Sequence, residues 1–113
     1  MKYPPLKNYI NGKPTAASSA KTLEVISPID GTLLSTVPMS TAKDLNDAVM
    51  VAQKAFVSWS RKPIKERVQV FFKFKTLLER DLNILAALVQ EENGKTLGEA
   101  VAEVEKCIEL TEF

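Results

Sequence analysis

The sequence predicts an α+β chain in which an N-terminal β-hairpin is followed by about four mostly antiparallel helices. Three observations predict it. Two short β-rich runs flank the turn dipeptide Asp30-Gly31. From Ser40 onward the apolar residues recur with a period of about 3.6 instead of two. The helical stretches are then punctuated by start and stop residues at Pro63, Asp81, Asn93-Gly94 and Thr96. On this pattern the chain divides at residue 39, with strands and hairpin over 1–39 and a helical segment over 40–113.

The strand region begins with Asn8-Tyr9-Ile10, which leads into Asn11-Gly12, a dipeptide suited to positive φ. Residues 14–21 start with a proline and continue in Ala, Ser and Thr, and read as a loop. Thr22–Ile26 reads as one strand and Thr32–Val37 as its return, ended by Pro38. A two-stranded hairpin is marginal alone and needs a surface to pack on.

Thr41 followed by Asp44 fits an N-terminal capping pattern. Leu45, Ala48, Val49, Ala52, Ala55, Phe56 and Trp59 then form one apolar stripe, expected to bury against neighbouring helices. Pro63 suits the first position of a second helix, where a missing N–H has no partner to lose. That helix is apolar on two sides. Ile64, Val68, Phe71, Phe72 and Leu78 make one face; Val70, Phe74 and Leu77 make another. So short a chain cannot cover both. Either it self-associates through this surface, or the covering element belongs to another part of a larger protein.

Asp81 is the expected cap of a third helix with Leu82, Leu85, Ala86 and Val89 inward, and Asn93-Gly94 its stop. Thr96 to Glu99 is a full capping box for a fourth helix, with Leu97, Val101, Val104, Ile108 and Thr111 inward. No stop signal follows it before Thr111-Glu112-Phe113, so the chain is expected to be an incomplete piece.

Composition excludes several functions. The 113 residues carry 15 basic and 14 acidic side chains, a net charge of +1, which gives no general attraction to nucleic acid or an anionic membrane. There is no histidine, which removes the commonest general base and metal ligand. The single cysteine, Cys107, cannot form an internal disulfide and fits a reducing cytoplasm. It is expected to be a half-buried helix residue and not an activated thiol, since it lies mid-helix, away from the N-terminus. Asn93-Gly94-Lys95-Thr96 has the Gly-Lys-Thr ending of a phosphate-binding loop. Val89 stands where that motif needs a glycine, and a helix precedes it in place of a strand. Glu91 and Glu92 are adjacent and diverge around a helix, so they do not form a facing acid/base pair. Glu99, Glu103 and Glu105 with Lys95 and Lys106 read as a solvated face. No residue is singled out as catalytic, cofactor-binding or metal-ligating.

The ordered segments resemble the N-terminal region of the aldehyde dehydrogenase superfamily from Asn8 to Phe113. They are Asn8–Lys13; Val25-Ile26-Ser27-Pro28 with Asp30-Gly31; Val37-Pro38; the capped helix ending Ala55-Phe56 and Trp59; Arg67 with Phe71–Leu78; and Glu91–Thr96. The Phe-Lys-Phe-Lys and Glu-Asn-Gly-Lys-Thr stretches, with Glu99-Ala100 and Glu103–Glu109, look most like the CoA-acylating methylmalonate-semialdehyde dehydrogenases. Most relatives carry Asn where this chain has Ser27, and a small residue near Cys107. The resemblance implies a parent enzyme with a Rossmann-like NAD domain, a catalytic domain and an oligomerisation arm. This chain would supply part of the NAD domain.

In such a parent a cysteine thiolate attacks the aldehyde, hydride passes to NAD, and CoA accepts the acyl group. The family's nucleophile, oxyanion-hole Asn and cofactor turn have no counterpart here, and Cys107 does not match the nucleophile's motif. Some relatives of this family hold a structural monovalent cation between the strand just before the Asn-Pro turn, Ser27-Pro28 in this chain, and a later acidic residue. Glu92 would be that acid here, although a solvated carboxylate is the plainer reading. The implied chain is inactive scaffold whose partners are the rest of the parent enzyme. The alternative is a free-standing helical interaction module acting as a homo-oligomer. Because no nucleotide cradle is present, the isolated chain is predicted not to bind NAD. Saturable heat on titrating NAD into the chain would contradict this.

Overall fold

A computed structural model describes all residues, Met1–Phe113. The strands are β1 Asn8–Ile10, β2 Lys13–Thr15, β3 Thr22–Ile26 and β4 Leu33–Pro38; the helices are α1 Ala42–Trp59, α2 Ile64–Arg80, α3 Leu82–Asn93 and α4 Leu97–Glu112. The strand-to-helix change falls where the sequence puts it, between Pro38 and Ala42. The compact units are drawn differently. One comprises Met1–Ile26 and Gly31–Arg61, the other Ser27–Asp30 and Lys62–Phe113.

In the first unit there are two antiparallel pairs, β1–β2 and β3–β4. The extra pair corrects the loop expected over 14–21, since β2 takes Lys13–Thr15 and leaves only 16–21 irregular. The turn between them has positive φ at both Asn11 and Gly12. Pro14 is tolerated because it faces Tyr9, one pair beyond the Ile10–Lys13 pair that closes the turn. Hydrogen-bonded and open pairs alternate, so at Pro14 the missing N–H would point away from β1.

The β3–β4 register runs from Thr22↔Pro38 to Val25↔Ser35 and then skips to Ile26↔Leu33, leaving Leu34 as a bulge residue. Leu34 is buried. The far edge of β4 is not bare. The N–H groups of Lys2, Tyr3 and Leu6 donate to the carbonyls of Leu33, Leu34 and Thr36, and the buried Ser35 hydroxyl donates to the Pro4 carbonyl. Pro4 and Pro5 lack N–H groups, so this edge segment cannot become a full ladder.

Asp44 joins the start of α1 to the preceding loop. Its buried carboxylate accepts the Thr41 N–H at 2.7 Å and the Ser18 N–H at 2.8 Å, with both residues' hydroxyls adding bonds at 3.1 and 2.9 Å. The Thr41 backbone donor, ahead of an opposing effect of burial and then the Ser18 bonds, holds the carboxyl at about 2, below its ordinary 3.8. The apolar stripe of α1, by contrast, is not covered as expected. Leu45, Val49, Phe56 and Trp59 are exposed, and Asp44 is the one buried residue of the helix.

In the second unit α4 packs against both α3 and α2. Its core is Ala86, Ala100 and Val104, flanked by Leu82, Leu85, Val89, Val101 and Ile108. The two alanines are fully buried, and their small side chains let α3 and α4 approach closely. Leu97, expected inward, is exposed. Pro63 stands one residue earlier than expected, as the cap of α2 with extended ψ. Asp81 is at once the last cap of α2 and the first of α3, but its carboxylate does not cap; it holds the Arg80 guanidinium at 2.7 and 2.9 Å. Thr96 and Glu99 form the expected reciprocal box: the Thr96 N–H donates to Glu99 at 2.9 Å, and the Glu99 N–H to the Thr96 hydroxyl at 3.3 Å. Gly94 ends α3 at φ +70, and a Cβ there would lie 3.1 Å from the Pro28 ring.

Two outcomes follow from these contacts. Gly94→Ala is expected to destabilise the second unit by about 1 kcal/mol or more, from the left-handed backbone and the Pro28 contact together; urea midpoints read this directly. For Asp44 the folded pKa lies below the unfolded one. Its stabilisation is therefore complete above the ordinary carboxylate value and is lost as pH falls toward 2. Asp44→Asn should lower stability at neutral pH and flatten that acid limb. An unchanged limb in the variant would refute the assignment.

Candidate functional site: an uncovered apolar surface on α2

The α2 helix turns its greasier side chains outward. Its partly buried residues are Arg67, Lys75 and Leu78, spaced to share the strip that meets α4. Lys75 reaches across that contact, pairing at 3.4 Å with both Glu79 and Glu112. Burial pulls its pKa down, but the Glu112 and Glu79 carboxylates outweigh this and hold it raised. The Nε atom of Arg67 is buried without a hydrogen-bond partner. Phe71, Phe72 and Phe74, meanwhile, are 54%, 60% and 48% exposed, and Ile64, Val70 and Leu77 are exposed with them. No residue of α2 is buried.

Val68, Phe71 and Phe72 line a groove of about 260 Å³ with Thr111, Glu112 and Phe113 of the α4 end. Fully burying an exposed Phe contributes roughly 1.5–3 kcal/mol. Covering three half-exposed rings is therefore a substantial driving force for association. Large apolar side chains left exposed on both faces of one helix mark an interaction surface. The sequence shows the two apolar faces. That Arg67 and Lys75 occupy the inner strip was missed, although the spacing of 67, 75 and 78 on one face carries the signal.

The remaining groups form no reactive constellation. A groove of about 280 Å³ in the first unit is lined by Asn8, Tyr9, Ile10, Ser40, Asp44, Leu45 and Ala48. Its only carboxylate, Asp44, is already engaged by Ser18 and Thr41. Cys107 is exposed, not half-buried, although it sits at the edge of the strip of α4 that carries Ala100, Val104 and Ile108. The Gly94-Lys95-Thr96 run is taken up by helix ends: Gly94 stops α3, Lys95 pairs with Glu103, and Thr96 caps α4. Thr96 also holds the Glu99 carboxyl below its usual range, through its hydroxyl first and its N–H second. Glu92 is exposed, and no cluster of three or more His, Cys, Asp or Glu side chains is present that could hold a metal ion. No helix is long and apolar enough to cross a membrane.

Comparison with known proteins agrees with this picture of an incomplete surface. Residues 15–113 match the aldehyde dehydrogenase family. Over 108 residues, 96% of the chain, it is 44% identical to malonate-semialdehyde dehydrogenase 1 of Geobacillus kaustophilus, of which it covers 22%. A malonate-semialdehyde dehydrogenase of Bacillus pumilus matches with the same identity and coverage. Among solved structures, one described as a methylmalonate-semialdehyde dehydrogenase from Sinorhizobium meliloti 1021, complexed with NAD, superposes with a TM-score of 0.93. The pair is 33% identical, covering all of this chain and 23% of that one. An NAD-dependent aldehyde dehydrogenase from Sinorhizobium meliloti gives a TM-score of 0.90 at 31% identity, over 98% of this chain and 22% of that one. The chain thus spans about a fifth of the length of the relatives it matches. The uncovered face, the agreement in backbone and the sequence identity converge: this chain belongs to the aldehyde dehydrogenase family and corresponds to an N-terminal portion of its fold.

Proposed function

We propose that this chain is N-terminal scaffold of an NAD-dependent, CoA-acylating malonate- or methylmalonate-semialdehyde dehydrogenase. The observation that carries this reading is the 44% identity over 96% of the chain to malonate-semialdehyde dehydrogenases of which it covers 22%. The NAD complex of the Sinorhizobium meliloti relative supports the cofactor. Within the whole enzyme NAD accepts hydride from the substrate carbon. The residues of this chain do not fit that group: its one Gly-Lys-Thr turn is consumed by a helix stop, an ion pair and a cap. In this reading no residue here is catalytic, cofactor-binding or metal-ligating. The chain's work is structural: it forms the first strands and helices of the NAD domain and turns an apolar face toward the rest of the enzyme. The reading also places the enzyme in a reducing cytoplasm, where the free thiol of Cys107 persists.

The test is NADH formation from malonate semialdehyde and CoA. The chain alone should give none. Joined after Phe113 to the remaining four-fifths of the Geobacillus kaustophilus relative, it should give robust turnover. Turnover by the chain alone, or none by a folded chimera, would overturn the reading.

A further inference from the structure

We propose that Asn11 is a site of spontaneous covalent modification, converted through a succinimide to isoaspartate and aspartate, whereas Asn93, in the same dipeptide, is protected by the fold. The inference is independent of the scaffold reading.

The chain holds two Asn-Gly pairs, Asn11-Gly12 and Asn93-Gly94. The available chemistry is the same in each. The main-chain nitrogen of the glycine gives up its proton to solvent base and forms a bond to the Asn Cγ. The Cγ–Nδ2 bond breaks, and the nitrogen leaves as ammonia. One water then opens the ring at either carbonyl, and nothing is oxidised or reduced. Opening at one carbonyl restores an ordinary aspartate; opening at the other routes the main chain through the side chain, as isoaspartate. Glycine favours the attack because no Cβ obstructs it.

All four residues are exposed, so solvent access does not separate the two pairs. Hydrogen bonding does. At the end of α3 the Gly94 N–H donates to the Gln90 carbonyl at 2.8 Å, and Asn93 Nδ2 donates to the Val89 carbonyl at 3.1 Å. The nucleophile and the leaving group are both tied down, and attack requires unwinding the last turn of the helix. In the β1–β2 turn neither the Gly12 N–H nor the Asn11 amide is engaged. The Tyr9 hydroxyl donates to the Gly12 carbonyl at 2.9 Å, which leaves the Gly12 nitrogen free. Asn11 also sits at φ +55, a conformation that costs an L-residue energy, so departure from it relieves strain. The flanking strands have three residues each and form a two-stranded sheet of their own, so opening the turn breaks few bonds. Isoaspartate would then add a main-chain methylene inside a two-residue turn closed by the Ile10–Lys13 pair. That turn cannot absorb the extra length, and the β1–β2 register is lost with it.

The experiment incubates the 113-residue chain at mildly alkaline pH, folded in buffer and unfolded in guanidinium chloride. Peptide mass spectrometry follows the amide-to-acid mass gain at each pair, and isoaspartyl methyltransferase labels the rearranged product. Circular dichroism checks that the buffered sample stays folded. In the folded chain Asn11 should convert about tenfold or more faster than Asn93, because reaction at Asn93 must first break its two hydrogen bonds. In denaturant the two rates should become similar. Isoaspartate should be present among the products at position 11. Asn11→Asp should abolish the mass gain in its own peptide and leave Asn93 slow. Equal rates at the two sites in the folded chain would overturn the inference, as would an Asn11 that survives folded and converts only in denaturant. A rate ratio unchanged by denaturant would overturn protection by the fold. A product at position 11 that is aspartate alone would overturn the succinimide route.

Discussion

Lys75 bridges α2 to Glu112 on α4, a contact made beside the Ala86, Ala100 and Val104 core that holds the helical unit together. In α2 the partly buried positions are Arg67, Lys75 and Leu78, while Phe71, Phe72 and Phe74 stay about half exposed beside them. The arrangement is unfavourable for a self-sufficient domain, in which the bulkiest apolar residues contribute most when buried. It is reasonable for a piece whose other side is closed by more protein. The small core of Ala86, Ala100 and Val104 follows from the same division, because α3 and α4 supply nearly all the burial in this unit.

The strand unit solves a different problem. It buries little of its apolar surface and relies on directional bonds. The edge of β4 is capped by the proline-bearing N-terminal segment, and the 16–21 loop is pinned to α1 through Asp44. A carboxylate meeting two backbone N–H groups and two hydroxyls remains ionised far into acid. Its role is local geometry, since all four of its bonds go to Ser18 and Thr41 at the loop and the helix start.

The residues suggestive of chemistry in the linear chain are absorbed in the same way. Gly94, Lys95 and Thr96 together look like the end of a phosphate loop, yet each serves the α3–α4 corner. Gly94 is there because its φ is +70, and a Cβ would also press at 3.1 Å on the Pro28 ring.

The sequence by itself determined the order of the helices, the Asp30-Gly31 hairpin, the Thr96–Glu99 box, the Gly94 stop and the α3–α4 core positions other than Leu97, which is exposed, and Ala100, which is buried but was not among the expected inward residues. Each is written in a few neighbouring residues whose local preferences agree with the fold. Periodicity also showed that α2 is apolar on two sides. What it left open was which strip meets a neighbour, because a 3.6-residue period gives a face without saying what lies opposite. Only the tertiary structure decided that Arg67 and Lys75 face inward, that the α1 stripe stays uncovered and that Cys107 is exposed. It also decided that the Asp81 carboxylate turns to Arg80 and that Lys13–Thr15 returns as a strand. These outcomes depend on contacts between residues far apart in the chain or on competition between equally available partners, and neither is encoded in local spacing.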